Sequence, residues 1–179
     1  MMLNVKVYLR FIVLAVALLL AGCSAKIDDY KGTEPKLDIF SYFQGDSQAW
    51  GMIQDYSNKQ TRRFSVAIRG DVVGDTLTLH EDFTYDDGEK QTRIWHIQRL
   101  ADGSYRGTAG DIIGVATGHT QGNAFNWNYV MDIKASGKTY RLTFDDWLFK
   151  QDDRHLMNVT SLTKFGVQVA KLTLFFEKK

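Results

Sequence analysis

Large apolar residues and polar residues alternate along most of the chain after residue 36, and this period of two is typical of β-strands with one apolar face. Residues 76–85 show it clearly, with one glutamate among the apolar positions: Leu77, Leu79, Glu81, Phe83 and Tyr85. Residues 123–133 repeat it with larger side chains: Phe125, Trp127, Tyr129 and Met131. Helical periodicity is weak in this part of the sequence. The pattern therefore predicts an all-β domain.

A turn sequence fixes the register of the first of these strands with the strand that follows it. Residues 86–88 (Asp-Asp-Gly) suit a three-residue hairpin loop whose glycine takes the left-handed conformation. That loop places Glu81 opposite Arg93. It also places Leu79 opposite Trp95. A shift by one residue would set apolar positions of one strand against polar positions of the other, so the alternation supports this register.

The aromatic strand has a partner of the same kind. A two-residue loop at residues 136–137 (Ser-Gly) places Tyr129 opposite Phe144. The same loop places Trp127 opposite Asp146. Each of the two hairpins thus carries a carboxylate on an otherwise apolar face.

Glycines are concentrated just before the aromatic strand, at Gly107, Gly110, Gly114, Gly118 and Gly122. Glycine weakens a strand unless the backbone must bend sharply or approach another group closely. The run therefore predicts a sheet that curls around an aromatic interior. Short strands joined by closely spaced turns, about 8–10 in all, predict an antiparallel up-and-down β-barrel. Residues 37–179 are expected to form it as a single domain.

The first elements of this domain are less regular in sequence. An irregular turn is expected over residues 37–43, and residues 37–48 and 164–170 also allow a short piece of helix. Residues 50–56 and 64–69 are predicted to be the first two strands, since apolar and polar positions alternate in them. Gly70 is assigned to the connection that follows the second strand.

The first 22 residues have the organisation of a cleaved bacterial export signal. Two basic residues precede an apolar run at residues 11–19, which is too short to span a bilayer. The Leu-Ala-Gly-Cys sequence at residues 20–23 looks like the lipobox of bacterial lipoproteins. That resemblance implies a signal peptide over residues 1–22 and lipidation of Cys23.

The residues after Cys23 favour an outer-membrane destination facing the periplasm, because Ser24 stands where an aspartate would favour retention in the inner membrane. Residues 23–36 are mostly polar and are interpreted as a lipidated tether. Cys23 is the only cysteine in the chain. An intramolecular disulfide is therefore excluded.

The composition and the missing motifs argue against several classes of function. The formal net charge is +1 and no basic stripe is present, so nucleic acid is not an expected partner. The four histidines lack the spacing of metal ligands, and no metal or cofactor is predicted. The nucleophile motif G-x-S-x-G is absent, and no catalytic residue is assigned.

Glu81, Arg93 and Asp146 have two interpretations, because a charge on an apolar face is costly unless it is paired or hydrated. In the structural interpretation, Glu81 and Arg93 form a buried ion pair, and Asp146 accepts a hydrogen bond from an indole N–H. In the functional interpretation, they form the polar patch of an apolar ligand cavity. The residues predicted to line that cavity are Glu81, Arg93, Trp95, Trp127, Tyr129 and Asp146.

A longer pattern extends over nearly the whole chain after Cys23, and its most characteristic segments are Trp50-Gly51, Glu81-x-Phe83-x-Tyr85-x-Asp87-Gly88, Arg93-x-Trp95, Asp145-Asp146-Trp147 and Lys164-Phe165-Gly166. This pattern resembles a family of bacterial lipoproteins, domain of unknown function 3833. The resemblance implies a lipocalin-like β-barrel, a lipid anchor and a connection with lipids. It implies no established activity.

The leading expectation is a barrel anchored to the membrane through its N-terminal lipid, which binds an apolar or amphiphilic molecule such as a fatty acid. One alternative is a non-catalytic protein of envelope assembly that works through an exposed face containing Asn126, Asn128 and Asp132. A third is a lipid-modifying enzyme with Glu81 or Asp146 as general acid or base.

Overall fold

Ten antiparallel strands form a closed barrel in the computed structural model, which describes residues 24–135 and 137–179. Each strand pairs with its neighbours in sequence, and the last strand pairs with the first. The strands are β1 (Gly45–Asp55), β2 (Gln60–Val73), β3 (Thr76–Tyr85), β4 (Lys90–Arg99), β5 (Tyr105–Thr108), β6 (Ile112–Gln121), β7 (Ala124–Ala135), β8 (Lys138–Lys150), β9 (His155–Lys164) and β10 (Val167–Lys178). The predicted antiparallel up-and-down barrel is confirmed.

The register of both hairpins is the one predicted from the sequence. The expected pairs all occur: Leu79 with Trp95, Glu81 with Arg93, Tyr129 with Phe144, and Trp127 with Asp146. Side chains alternate between the two faces of a strand. These hairpins therefore deliver aromatic and charged residues to the same interior.

A short helix, α1 (Ile39–Phe43), closes one end of the barrel, in the segment where the sequence allowed an irregular turn or a short piece of helix. The Asp38 carboxylate caps it by accepting hydrogen bonds from the backbone N–H groups of Phe40 (2.9 Å) and Ser41 (3.2 Å). Phe43 packs edge-on against Phe176 inside the barrel, with ring centroids 5.7 Å apart. The helix thus forms the floor of the interior.

The first two strands are longer than predicted. Gly70, which the sequence analysis assigned to a connection, lies within β2 and pairs with Gly45. A Cβ atom at Gly70 would collide with the backbone carbonyl of Phe43. Glycine is therefore needed there for close contact between α1 and the sheet rather than for a turn.

The described part of the predicted tether lies against the barrel. A 3₁₀ helix at Ile27–Tyr30 contacts β6 and β7, and the Tyr30 ring packs on Trp147 and Phe149 at centroid distances of 5.5 and 5.4 Å. The backbone N–H of Leu37 donates to the Gly122 carbonyl at 2.8 Å. The chain therefore enters the barrel at the end that α1 covers.

The predicted signal peptide and Cys23 lie outside the described residues. Within residues 24–135 and 137–179, no helix combines the length and the hydrophobicity needed to cross a bilayer.

Two glycines of the run make room for the Trp127 ring. A Cβ atom at Gly107 would lie 2.8 Å from a ring carbon of Trp127, and one at Gly118 would lie 2.5 Å from another. The Cβ of Gly118 would also meet the Asn126 carbonyl oxygen at 2.5 Å. These glycines are required because a large indole occupies the space beside the sheet.

We expect Gly118→Ala to lower the free energy of unfolding by about 1–3 kcal/mol, because the added methyl group overpacks this contact. Gly110→Ala is the matched control, since a Cβ atom there would meet nothing within 4 Å. Urea denaturation of both variants measures the difference. Equal stability of the two variants would contradict this account of the glycine run.

Candidate functional site

A cavity of about 110 Å³ lies inside the barrel above α1. All six residues predicted to line a cavity do line it, namely Glu81, Arg93, Trp95, Trp127, Tyr129 and Asp146. A water molecule occupies about 30 Å³ in the liquid, so the space would admit a few waters or a small organic group. It is smaller than the roughly 300–1,000 Å³ of pockets that enclose drug-sized ligands.

Aromatic rings form one wall of the cavity. Trp95 packs edge-on against Trp127 and Tyr129, at centroid distances of 5.8 and 5.3 Å. Tyr129 in turn stacks on Phe144 at 4.9 Å. These rings are at most 7% exposed. Because each ring is held by another, the wall is preorganised before anything enters the cavity.

Arg93 has a partner that the sequence analysis missed. Its guanidinium donates to the Asp111 carboxylate, with Nε–oxygen distances of 2.9 and 3.1 Å and an Nη2–Oδ2 distance of 2.8 Å. The predicted ion pair with Glu81 is present but longer, at 3.8 Å between Nη1 and Oε2. Arg93 is therefore committed mainly to Asp111, in the turn between β5 and β6.

Two carboxylate oxygens in the interior lack a hydrogen-bond partner among the described residues, Oε2 of Glu81 and Oδ1 of Asp146. The expected indole N–H bond to Asp146 is not formed. Instead, the indole of Trp147 donates to Asp145 at 3.3 Å on the outer face. The Asp146 side chain points into the barrel, because successive side chains of a strand alternate between its two faces.

Burial raises the pKa of both carboxyl groups to about 7. For Glu81, the charge of Arg93 lowers the pKa, whereas Asp111 and Asp146 raise it. For Asp146, the neighbouring hydroxyls of Thr160 and Tyr129 lower the pKa, and burial outweighs them. The interior thus holds two carboxyl groups whose charge the protein only partly stabilises.

Two further polar residues of the interior lie on β9. Asn158 and Thr160 are buried, and the Thr160 hydroxyl donates to the Asn158 side-chain oxygen at 3.2 Å. Asn158 also lines the cavity. Period-two alternation with Leu156 and Leu162 places both on the inner face, so this signal was present in the sequence.

The outer face of β7 is less available than expected. The Asn126 amide donates to Asp145 at 2.7 Å, and the Asn128 amide donates to Asn126 at 2.6 Å. Asp132 accepts a bidentate bond from Arg141 at 2.8 and 2.9 Å. These three side chains are half-buried rather than fully exposed, and each is hydrogen-bonded to a neighbouring side chain.

Metal ligands do not come together in residues 24–135 and 137–179, where no three His, Cys, Asp or Glu side chains could hold an ion. The chemistry that the described cavity offers is therefore that of its carboxyl groups, its aromatic wall and Arg93.

The fold and the cavity place this protein in the class of closed antiparallel barrels. Its interior is aromatic and contains buried carboxyl groups. The chain belongs to the family described as proteins of unknown function (DUF3833), whose model matches residues 17–178. No curated protein sequence matches it.

Solved structures that are similar to this chain include a lyase and a designed barrel. The S-type phycobiliprotein lyase CPES from Guillardia theta is 8% identical, with a TM-score of 0.56 over 78% of this chain and 90% of the lyase chain. A redesigned β-barrel, mFAP0, bound to DFHBI, is 11% identical, with a TM-score of 0.41 over 76% of this chain and 99% of that one. At such identity, the lyase supports the assignment of the fold alone.

We expect Arg93→Ala to lower the free energy of unfolding at pH 8 by about 3–5 kcal/mol, because it leaves a buried carboxylate without its cation. The loss should be smaller at pH 5. Since the folded-state pKa of Glu81 is about 7, this group is ionised at pH 8 and neutral at pH 5. Urea denaturation at the two pH values measures both effects.

The control is Arg63→Ala, whose side chain is 67% exposed and pairs with Asp86 at 3.4 Å. It should change stability by no more than about 1 kcal/mol. Equal losses for the two variants, or a larger loss for Arg93→Ala at pH 5 than at pH 8, would show that Arg93 does not compensate a buried charge.

Proposed function

We propose that this protein is a lipid-anchored barrel of the bacterial outer membrane that faces the periplasm and binds a small apolar or amphiphilic, lipid-like molecule in its interior. The observation that carries the proposal is the cavity itself. It combines an aromatic wall with two buried carboxylate oxygens that have no hydrogen-bond partner among the described residues.

The stability of the fold does not explain why these two carboxyl groups are buried. A buried polar atom without a hydrogen bond costs free energy, and apolar residues of similar size often replace a buried charge without loss. Glu81 and Asp146 nevertheless lie together in the cavity. Polar groups placed in an apolar pocket are the usual means of orienting a ligand.

We place the route of entry at the far end of the barrel, since α1 covers the other end. Half-buried apolar side chains pack against the core at that far end: Ile53, Tyr85, Ile112, Ile133 and Tyr140. An amphiphile longer than the cavity could lay its apolar part against them while its polar end reaches Glu81. This arrangement supports an amphiphilic ligand better than a purely polar one.

The anchor part of the proposal comes from the sequence around Cys23. Residues 24–36 run beside the end that α1 covers, so a lipid on Cys23 would bring that closed end nearest to the membrane. The opposite end would then face the periplasm. The intact mass of the protein tests the anchor, because it should equal that of residues 23–179 plus attached acyl groups. The mass of an unmodified chain would contradict it.

An enzyme acting on lipids is a second candidate, favoured by one observation. Glu81 and Asp146 have pKa values of about 7, the range in which a carboxyl group works best as general acid or base. Conversion of a bound ligand, lost in Glu81→Gln or Asp146→Asn, would distinguish this candidate from simple binding.

Mass spectrometry of extracts from the purified full-length protein tests ligand binding. We expect a small molecule in near-stoichiometric amount with the wild type. It should be depleted in Val66→Phe, because Val66 lines the cavity and a larger side chain would fill it.

Val159→Phe is the matched control, since it adds the same bulk at an exposed position of β9. Circular dichroism verifies that both variants fold. Extracts of the wild type and Val66→Phe that contain the same molecules in the same amounts would overturn the proposal of an interior ligand.

A further inference from the structure

The charges inside the cavity do not balance. Glu81, Asp146 and Arg93 line it, and Asp111 lies beside Arg93. With all four ionised, three negative charges face one positive charge. A ligand that enters this space meets an excess of hydrogen-bond acceptors.

Arg93 has few donors left for an anionic ligand. Its Nε and Nη2 atoms are bonded to Asp111, and Nη2 also lies 3.5 Å from the Met131 sulfur. Its Nη1 atom faces Glu81 at 3.8 Å. A carboxylate placed here would compete with Asp111 for the guanidinium and would be repelled by Glu81 and Asp146. The interior is therefore unsuited to the head group of a fatty acid.

The cavity is better suited to a ligand that donates hydrogen bonds, because two of its carboxylate oxygens are not used by the described part of the protein. Oε2 of Glu81 and Oδ1 of Asp146 are buried, and neither accepts a hydrogen bond from the described residues. An ammonium group donates three hydrogen bonds and accepts none. Bonds between an ammonium group and carboxylates are among the strongest in proteins, because both partners are charged.

The aromatic wall favours the same kind of ligand. Trp95, Trp127 and Tyr129 line the cavity together with the two carboxyl groups. The face of an indole or phenol ring attracts a cation, and the attraction increases when the cation is desolvated. Carboxylates and aromatic rings around one small space resemble the sites that proteins use for amines.

We propose that the polar end of the interior ligand is a protonated amine, held by Glu81 and Asp146 against the aromatic wall. This inference rests on the proposed function and deepens it, because it names the ligand class as cationic amphiphiles and excludes free fatty acids. The amine donates to Oε2 of Glu81 and Oδ1 of Asp146, the two oxygens that accept no hydrogen bond from the described residues. Its apolar part extends from there towards the half-buried apolar side chains at the far end of the barrel, such as Ile53, Ile112 and Ile133.

Three six-carbon molecules that differ in their polar end test the inference: hexylamine, 1-hexanol and hexanoate. Isothermal titration calorimetry at pH 8 measures their binding to the full-length protein in a non-ionic detergent, with empty micelles as the blank. We expect hexylamine to bind about tenfold or more tightly than either of the others. In Glu81→Gln/Asp146→Asn, this preference should fall to about threefold or less.

Asp82→Asn is the matched control, because Asp82 neighbours Glu81 on β3 but bonds to Thr92 in an exposed position. It should keep the full preference. Circular dichroism shows whether the double variant folds. If it does not, Asp146→Asn alone takes its place and should lose at least about half of the preference in free energy.

The outcomes separate this inference from the proposed function. Binding of hexanoate or hexanol as tight as that of hexylamine would overturn the amine preference and leave a ligand-binding barrel. A preference for hexylamine that survives in the double variant would also overturn it, since Glu81 and Asp146 would not be its source. Absence of binding by all three molecules would overturn both.

Discussion

Burial of Glu81 and Asp146 inside a closed barrel is the constraint on which the rest of this structure depends. A carboxylate in an apolar interior is stable only if nearby groups replace the water that it has lost. Arg93 would be the natural partner, but its hydrogen bonds go to Asp111 at 2.8–3.1 Å. The two carboxyl groups therefore remain incompletely satisfied, and burial raises their pKa values to about 7.

Particular residues and pairings of the barrel hold the two carboxyl groups in position. Two hairpin registers bring Glu81 and Asp146 to the inner face. Glycines at 107 and 118 let the Trp127 ring lie close to the sheet. Helix α1 closes one end of the barrel. The sheet, the aromatic wall and the floor thus support one small polar site in an apolar space.

Much of this arrangement follows from local sequence rules. Alternation of apolar residues and the loop around Gly88 suffice to place Glu81 opposite Arg93, because the turn and the pattern agree on the register. The inward position of Asn158 and Thr160 also follows from alternation. Local patterns predict which residues face inward, and hence which residues line the cavity.

Other features depend on contacts between distant segments. Asp111 lies in a turn, where no periodicity indicates a direction, and only the three-dimensional structure brings it to Arg93. Gly70 was assigned to a turn because glycine serves turns and close contacts alike, and the chain segment that approaches it is remote in sequence. The size of the cavity is likewise a property of side-chain packing as a whole.

A carbon-13 NMR titration of the Glu81 and Asp146 carboxyl carbons in the ligand-free protein tests the central claim most directly. The account predicts that both groups titrate near pH 7, because the protein itself does not satisfy their charge. Midpoints near the usual values of 4.5 for Glu81 and 3.8 for Asp146 would show that the barrel fully stabilises both carboxylates, and would contradict the claim.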